Sequence, residues 1–154
     1  MNQPTLIQSK IKDVRFGENV KIVEPVNLYG CEIDSGCFIG PFVEIQNNVS
    51  IGLRTKIQSH SFICSLVTIG SDCFIGHGVM FINDVFTSGG PAMGDKTKWK
   101  STTVADHVSI GSNATILPVS ICSHVVIGAG SVVTKTILQP GIYVGNPAKL
   151  IRTI

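Results

Sequence analysis

The sequence predicts an all-β fold: a parallel β-helix of about six coils, forming a single domain over residues 1–154. Three observations lead there. From Ile33 to Phe81 an apolar side chain returns at every sixth position: Ile33, Ile39, Ile45, Ile51, Ile57, Ile63, Ile69, Ile75, Phe81. Two residues before each stands a small or β-branched residue, from Cys31 and Cys37 through Thr55 and Ser61 to Cys73 and Val79. One residue after it, glycine recurs at Gly40, Gly52, Gly70 and Gly76. A period of six matches neither the 3.6 of an α-helix nor the 2 of one long strand. It matches three short strands per coil, about 18 residues, with a corner after each strand and small and large side chains alternating along the interior.

In chain order, residues 1–13 carry no repeat and read as a lead-in. The beat starts at Val14/Phe16, Val20/Ile22 and Val26/Leu28; Leu28 to Ile33 is five residues, so one corner is short by one. Three uninterrupted coils follow. After Phe81 the beat stops, and NDVFTSGGPAMGDKTKWKSTT, about 83–103, reads as a loop extruded from one corner. A loop of that length in a compact domain points to function. The beat resumes at Val104, Ile110 and Ile116, then Ile121, Ile127 and Val133. Stacking the coils predicts three interior columns: Phe16/Ile33/Ile51/Ile69/Val104/Ile121, Ile22/Ile39/Ile57/Ile75/Ile110/Ile127 and Leu28/Ile45/Ile63/Phe81/Ile116/Val133. The short C-terminal tail KTILQPGIYVGNPAKLIRTI leaves the repeat, with turn signals at Pro140-Gly141 and Asn146-Pro147. Its end is expected to form a short strand or helix that closes the solenoid.

Composition narrows the function. Apolar residues make up 44% and charged residues 14%, with 16 glycines, which suits stacked strands and tight corners. A net charge of +2 gives no reason to expect nucleic acid. No apolar run reaches the 18 or so residues of a membrane span, so no membrane insertion is expected. The start MNQPTLIQSK lacks a secretory pattern, which makes the cytoplasm the expected location. Five cysteines are an odd number; Cys31, Cys37 and Cys73 fall in the small interior slot and Cys64 and Cys122 where glycine is usual, so packing explains them better than a disulfide framework.

The runs IGSDCFIGHGVMFIND, VSIGSNATILP, VVIGAGSVVTK and VGNPAKLIR, within roughly residues 14–152, resemble the hexapeptide-repeat acyltransferases. That resemblance implies a left-handed β-helix, a homotrimer and acetyl-CoA as co-substrate. HGVMFIND followed by a loop is most similar to the nucleotide-amino-sugar N-acetyltransferases, which acetylate the 3-amino group of UDP- or dTDP-linked sugars destined for surface polysaccharide such as lipopolysaccharide. Two departures stand out. The usual ILPG corner reads Ile116-Leu117-Pro118-Val119, and the loop starts Phe81-Ile82-Asn83-Asp84 without the catalytic His of galactoside-type O-acetyltransferases.

Acyl transfer to an amine needs a neutral amine held near the thioester carbonyl, and donors for the developing oxyanion. Asn83 and Asp84, at the loop root, are the candidates for orienting the amine. His60 and His77 are 17 residues apart, which predicts the same corner of adjacent coils about 5 Å apart; either is a candidate base or substrate partner. His107 and His124 read as polar turn residues. The spacings 17, 30 and 17 between histidines give no close ligand pair, so no metal is expected. For CoA, Gly111, Ala129 and Gly130 permit close approach of the pantetheine chain, and Lys135, Lys149 and Arg152 offer charge for phosphates. In the loop, Trp99 and Lys98, with Lys96 and Lys100 beside them, are candidates to meet a nucleotide. Two other readings stand beside this one: O-acetylation of a small sugar or serine, and a non-catalytic β-helix assembly module, against which GAGSVVTK and GNPAK speak.

Overall fold

The computed structural model describes residues 4, 5, 7, 8 and 10–154; the lead-in positions 1–3, 6 and 9 lie outside the described residues. The chain coils as a left-handed parallel β-helix of about seven turns, with one short 3₁₀ helix, Lys96–Lys98, and no longer helix among the described residues. Three sheets form the faces of a triangular tube. The first face runs from Ile11–Lys12 and Asn27–Tyr29 up through Glu44–Ile45, Phe62–Ile63, Met80–Phe81 and Thr115–Ile116 to Val132–Val133. The second runs from Arg15–Phe16 to Ser120–Ile121, and the third from Lys21–Ile22 to Val125–Ile127 and the C-terminal hairpin.

The three predicted columns are the observed ones. Phe16 pairs with Ile33, Ile33 with Ile51, Ile51 with Ile69, Ile69 with Val104 and Val104 with Ile121. On the third face Ile22, Ile39, Ile57, Ile75, Ile110 and Ile127 stack in the same order. On the first face Leu28, Ile45 and Ile63 align, and Phe81, Ile116 and Val133 continue the line. Almost all of these side chains are fully buried; each contributes roughly 1.5–3 kcal/mol. Among the described residues, four interior slots hold hydroxyls, Thr55, Ser61, Thr102 and Ser131, and each is hydrogen-bonded. Thr55 Oγ1 donates to the Gly70 carbonyl at 2.8 Å and Ser61 Oγ to the Gly76 carbonyl at 2.8 Å.

Corners are made by residues in the left-handed region of φ, arranged in three vertical lines. The edge where the chain enters the first face, its leading edge, carries Phe42, His60, Gly78, Asn113 and Gly130. The edge where it leaves, the trailing edge, carries Gly30, Asn48 and Leu66, and from it the loop departs. The third line is Asn19, Gly36, Arg54, Asp72, His107 and His124.

The tail differs from expectation. Ile137 bridges to Ile121 and Gly141–Val144 pairs in parallel with Val125–Ile127, so these residues extend two columns into a further coil. The loss of the apolar-x-Gly signature there hid it. Lys149–Arg152 then pairs antiparallel with Gly141–Val144, which is the closing strand expected of AKLIRTI.

Candidate functional site

The loop is cinched at its root: the Lys100 N–H donates to the Asn83 carbonyl at 2.9 Å. Asn83 Nδ2 donates to the Ser65 carbonyl at 3.2 Å, which fixes the amide and leaves Oδ1 as its available acceptor. Ser65 is itself buried and held: its N–H donates to Gln46 Oε1 at 3.2 Å and its hydroxyl to Asn47 Oδ1 at 2.8 Å. Gln46 Nε2 in turn donates to Glu44 Oε1, and Asn27 Nδ2 to Glu44 Oε2, each at 3.1 Å. A continuous polar ladder therefore rises across the first face to the loop root. Sequence reasoning missed Ser65 and Gln46; the usable signal was Ser65 following Cys64, where the repeat expects a glycine.

Asp84 faces inward to its own loop. Oδ1 accepts from the Phe86 N–H at 3.0 Å and Oδ2 from the Ala92 N–H at 2.7 Å, so both oxygens clamp the loop. Asp95 caps the short Lys96–Lys98 helix by accepting from the Thr97 N–H, and Thr97 holds its carboxyl below the usual range. Trp99 and Lys98 are half-buried, and Lys96 Nζ lies 6.0 Å from the Trp99 ring centroid.

His60 and His77 share the leading edge, as expected, but are not stacked on each other. Coils there are 18 residues apart, as the Lys56–Phe74 pairing sets, so a spacing of 17 offsets them by one position. His60 lies over Phe42, ring centroids 4.8 Å apart. His77 stands over Ser59, whose Oγ is 2.8 Å from His77 Nδ1. His107 and His124, also 17 apart, do stack, with centroids 5.0 Å apart and planes 12° from parallel, because the coil that pairs Ser109 with Val126 is short by one residue. Below them Arg54 grips Asp72 through two hydrogen bonds of 2.7 and 2.6 Å, which holds the Asp72 carboxyl below its usual range.

The predicted CoA residues separate into groups. Gly111 allows close coil contact: a Cβ there would sit 2.5 Å from the Ala129 nitrogen. Ala129 and Gly130 are exposed at the top of the leading edge, and a Cβ on Gly130 would meet open space. The hairpin brings Lys149 beside them, since the Ala148 N–H donates to the Val132 carbonyl and Val144 pairs with Lys149. Arg152, paired with Ile142, lies at the far end of that strand. Lys135 follows Val133 past the trailing edge. The leading edge therefore carries His60, His77, Ala129, Gly130 and Lys149 in one line. Asn83 and Asp84 lie across the first face; the five residues from Gly78 to Asn83 span about 16 Å of extended chain.

Residues 102–135 match the family model described as the hexapeptide repeat of succinyl-transferase. That stretch carries the hexapeptide repeat the model describes. Its fold is shared by a hexapeptide transferase family protein from Anaplasma phagocytophilum, with a TM-score of 0.73 at 17% identity over 92% of this chain and 79% of that one. A variant of perosamine N-acetyltransferase from Caulobacter crescentus, solved with CoA and GDP-perosamine, superimposes with a TM-score of 0.62 at 18% identity, covering 92% of this chain and 57% of that one. The polySia-specific acetyltransferase NeuO gives a TM-score of 0.57 at 28% identity over 91% and 70%. Among curated proteins, the bifunctional protein GlmU of Synechococcus is 28% identical over 148 residues, 95% of this chain but 30% of GlmU. The chain thus spans less than a third of the curated relatives it matches.

Proposed function

We propose that the protein transfers an acetyl group from acetyl-CoA to the amino group of a nucleotide-linked (dTDP or UDP) 3-amino-deoxy sugar, as a homotrimer and without a metal. The observation that carries the reading is the placement of the predicted site residues on two opposite edges of one face. A solenoid with open grooves does not enclose a substrate by itself, and about 16 Å of sheet separates the two groups within a chain. Where two copies meet side by side, the leading edge of one faces the loop root of its neighbour, and the groove between them becomes the site. The CoA-bound and nucleotide-sugar-bound perosamine N-acetyltransferase and the acetyltransferase NeuO support this class of chemistry.

In this reading the pantetheine arm lies along Gly111, Ala129 and Gly130, with Lys149 nearest to its phosphates and Arg152 and Lys135 further off. The neutral sugar amine attacks the thioester carbonyl; a C–N bond forms, the C–S bond breaks, and the amine's proton ends on the departing thiolate. Asn83 Oδ1 accepts an amine N–H and aims the lone pair, which is the pre-organisation such a step requires. Asp84 keeps the loop root in shape. His77, held through Nδ1 by Ser59, presents Nε2 for the proton, and His60 lines the same edge. Trp99 and Lys98 contact the nucleotide from the loop.

The deciding experiment is acetyl-CoA consumption with a panel of nucleotide-linked amino sugars, free amino sugars, serine and simple sugars. Transfer to the nucleotide-linked amine is expected, with Asn83→Ala reducing turnover at saturating acetyl-CoA by ten-fold or more while CoA affinity holds. Transfer only to hydroxyl acceptors would replace this reading with O-acetylation. No transfer to any acceptor would favour an assembly module.

A further inference from the structure

The leading edge holds one residue that the repeat does not explain. Phe42 sits in the left-handed corner slot at φ 60°, in line with Gly78, Asn113 and Gly130. Glycine and asparagine adopt that conformation readily, whereas a bulky side chain there is strained. Burial does not offset the cost, because Phe42 is 58% exposed. Its ring lies instead over His60, centroids 4.8 Å apart and planes tilted by 39°. Together the two rings form an aromatic ledge. Beside it runs a groove of about 300 Å³ lined by Pro25, Val26, Asn27, Val43 and Glu44.

We infer that this ledge is a subsite for a planar heteroaromatic base. The exposed face of Phe42 offers a stacking surface. Glu44 and Asn27, already bonded to each other at 3.1 Å, stand at the groove wall, where a carboxylate takes a ring N–H and an amide meets a ring carbonyl. The subsite lies about 10 Å, two inter-coil steps, below the position of His77. Acetyl-CoA then enters from the C-terminal end of the edge and the base from the N-terminal end, with the reacting groups meeting between them. The base has two possible sources, the nucleotide of the acceptor or the adenine of CoA; the placement at the end of the edge remote from Ala129 and Lys149 selects the acceptor nucleotide. This assignment rests on the nucleotide-linked acceptor proposed above.

The test is isothermal titration of the full chain with UMP, dTMP, GMP and AMP, and separately with CoA, for wild type, Phe42→Ala, Phe42→Trp and Phe42→Asn. At least one nucleoside monophosphate is expected to bind wild type and to lose ten-fold or more in affinity in Phe42→Ala, in line with the 1–3 kcal/mol of a base–aromatic stack. Phe42→Trp restores binding, and CoA affinity does not change. Phe42→Asn relieves the corner strain, so its melting temperature equals or exceeds that of wild type while binding is lost. Monophosphate affinity equal in wild type and Phe42→Ala overturns the inference, as does absence of binding to wild type. Loss of CoA affinity alone overturns it by giving the ledge to adenine. A lower melting temperature or altered sedimentation in Phe42→Asn overturns it by making the ring structural. Base binding is read without acetyl transfer, so a chain that binds a monophosphate at Phe42 yet acetylates nothing refutes the enzyme reading alone.

Discussion

Cys31 and Cys64 show how little of this chain's apparent chemistry belongs to its thiols. Burial pushes the Cys31 thiol up to about 11 and the Cys64 thiol up to about 12, from an ordinary 9.0. Cys37 and Cys73 are raised for the same reason. Iodoacetamide at pH 8 is therefore expected to modify Cys122, the half-exposed one, far faster than the other four, as mass spectrometry of the folded chain would read. The linkage sign follows. A thiol whose folded value is raised lends stability that is fully present below about pH 9 and is lost as pH rises from 9 towards 12. Denaturant midpoints measured across that window should fall, and Cys64→Ser should flatten part of the fall. Rapid labelling of Cys31 or Cys64 at pH 8 would contradict their placement in the core. The small interior slot named Cys31, Cys37 and Cys73 from sequence, because a thiol fits it as a compact hydrophobe. Ser65 was not legible in that way, since its role lies in where its carbonyl and N–H point rather than in which slot it fills.

Coils and corners set the next scale. Gly52 owes its place to close approach: a Cβ would lie 2.6 Å from the Gly70 carbonyl carbon of the coil above. Gly52→Ala is expected to destabilise the chain by about 1–3 kcal/mol, the range for overpacked positions, read as a lower urea midpoint with unchanged slope. Unchanged midpoints would mean that the coils part without cost. The Arg54–Asp72 pair on the third corner line makes a pH-dependent contribution of known sign. Asp72 is held below its ordinary carboxylate range chiefly by the Arg54 hydrogen bonds, so its stabilisation is present above that range and fades as pH falls through the folded value. Arg54→Gln should weaken that acid dependence in thermal melts taken from about pH 5 downwards; an identical acid limb in the variant would show the pair to be without effect, as many exposed pairs are. The six-residue beat made the three interior columns, the short corners and the extruded loop readable. It could not reveal the further coil at Gly141–Val144, where the signature is lost although the backbone still pairs. It also misplaced His77 by one position, because a coil of 18 and a coil of 17 give different partners to residues 17 apart.

At the scale of the whole molecule, the repeat says which residues share an edge and nothing of what faces that edge. The places of Asn83 and of the residues proposed for CoA in the repeat were each legible; their separation across the first face was not, because periodicity carries no information about neighbouring copies. The separation yields a decisive prediction. Ala129→Trp should block CoA at the leading edge, and it should fold, because Ala129 is exposed there. Asn83→Ala should disable the loop root and spare the leading edge. Each variant alone is then inactive or nearly so. In the homotrimer proposed above, the two variants, co-expressed and purified as mixed trimers, regenerate interfaces that pair an intact Ala129 edge with an intact Asn83 root, and random assembly gives about a quarter of wild-type activity. If both groups acted within one chain, no mixed interface would contain a complete site and activity would stay at the level of the single variants. Salt sets the companion measurement: the acetyl-CoA Michaelis constant should rise with ionic strength through the phosphate contact, and Lys149→Ala should raise the constant at low salt and flatten that rise. A flat salt response in wild type would remove Lys149 from the phosphate site while leaving the shared-interface result to stand or fall on the mixing experiment.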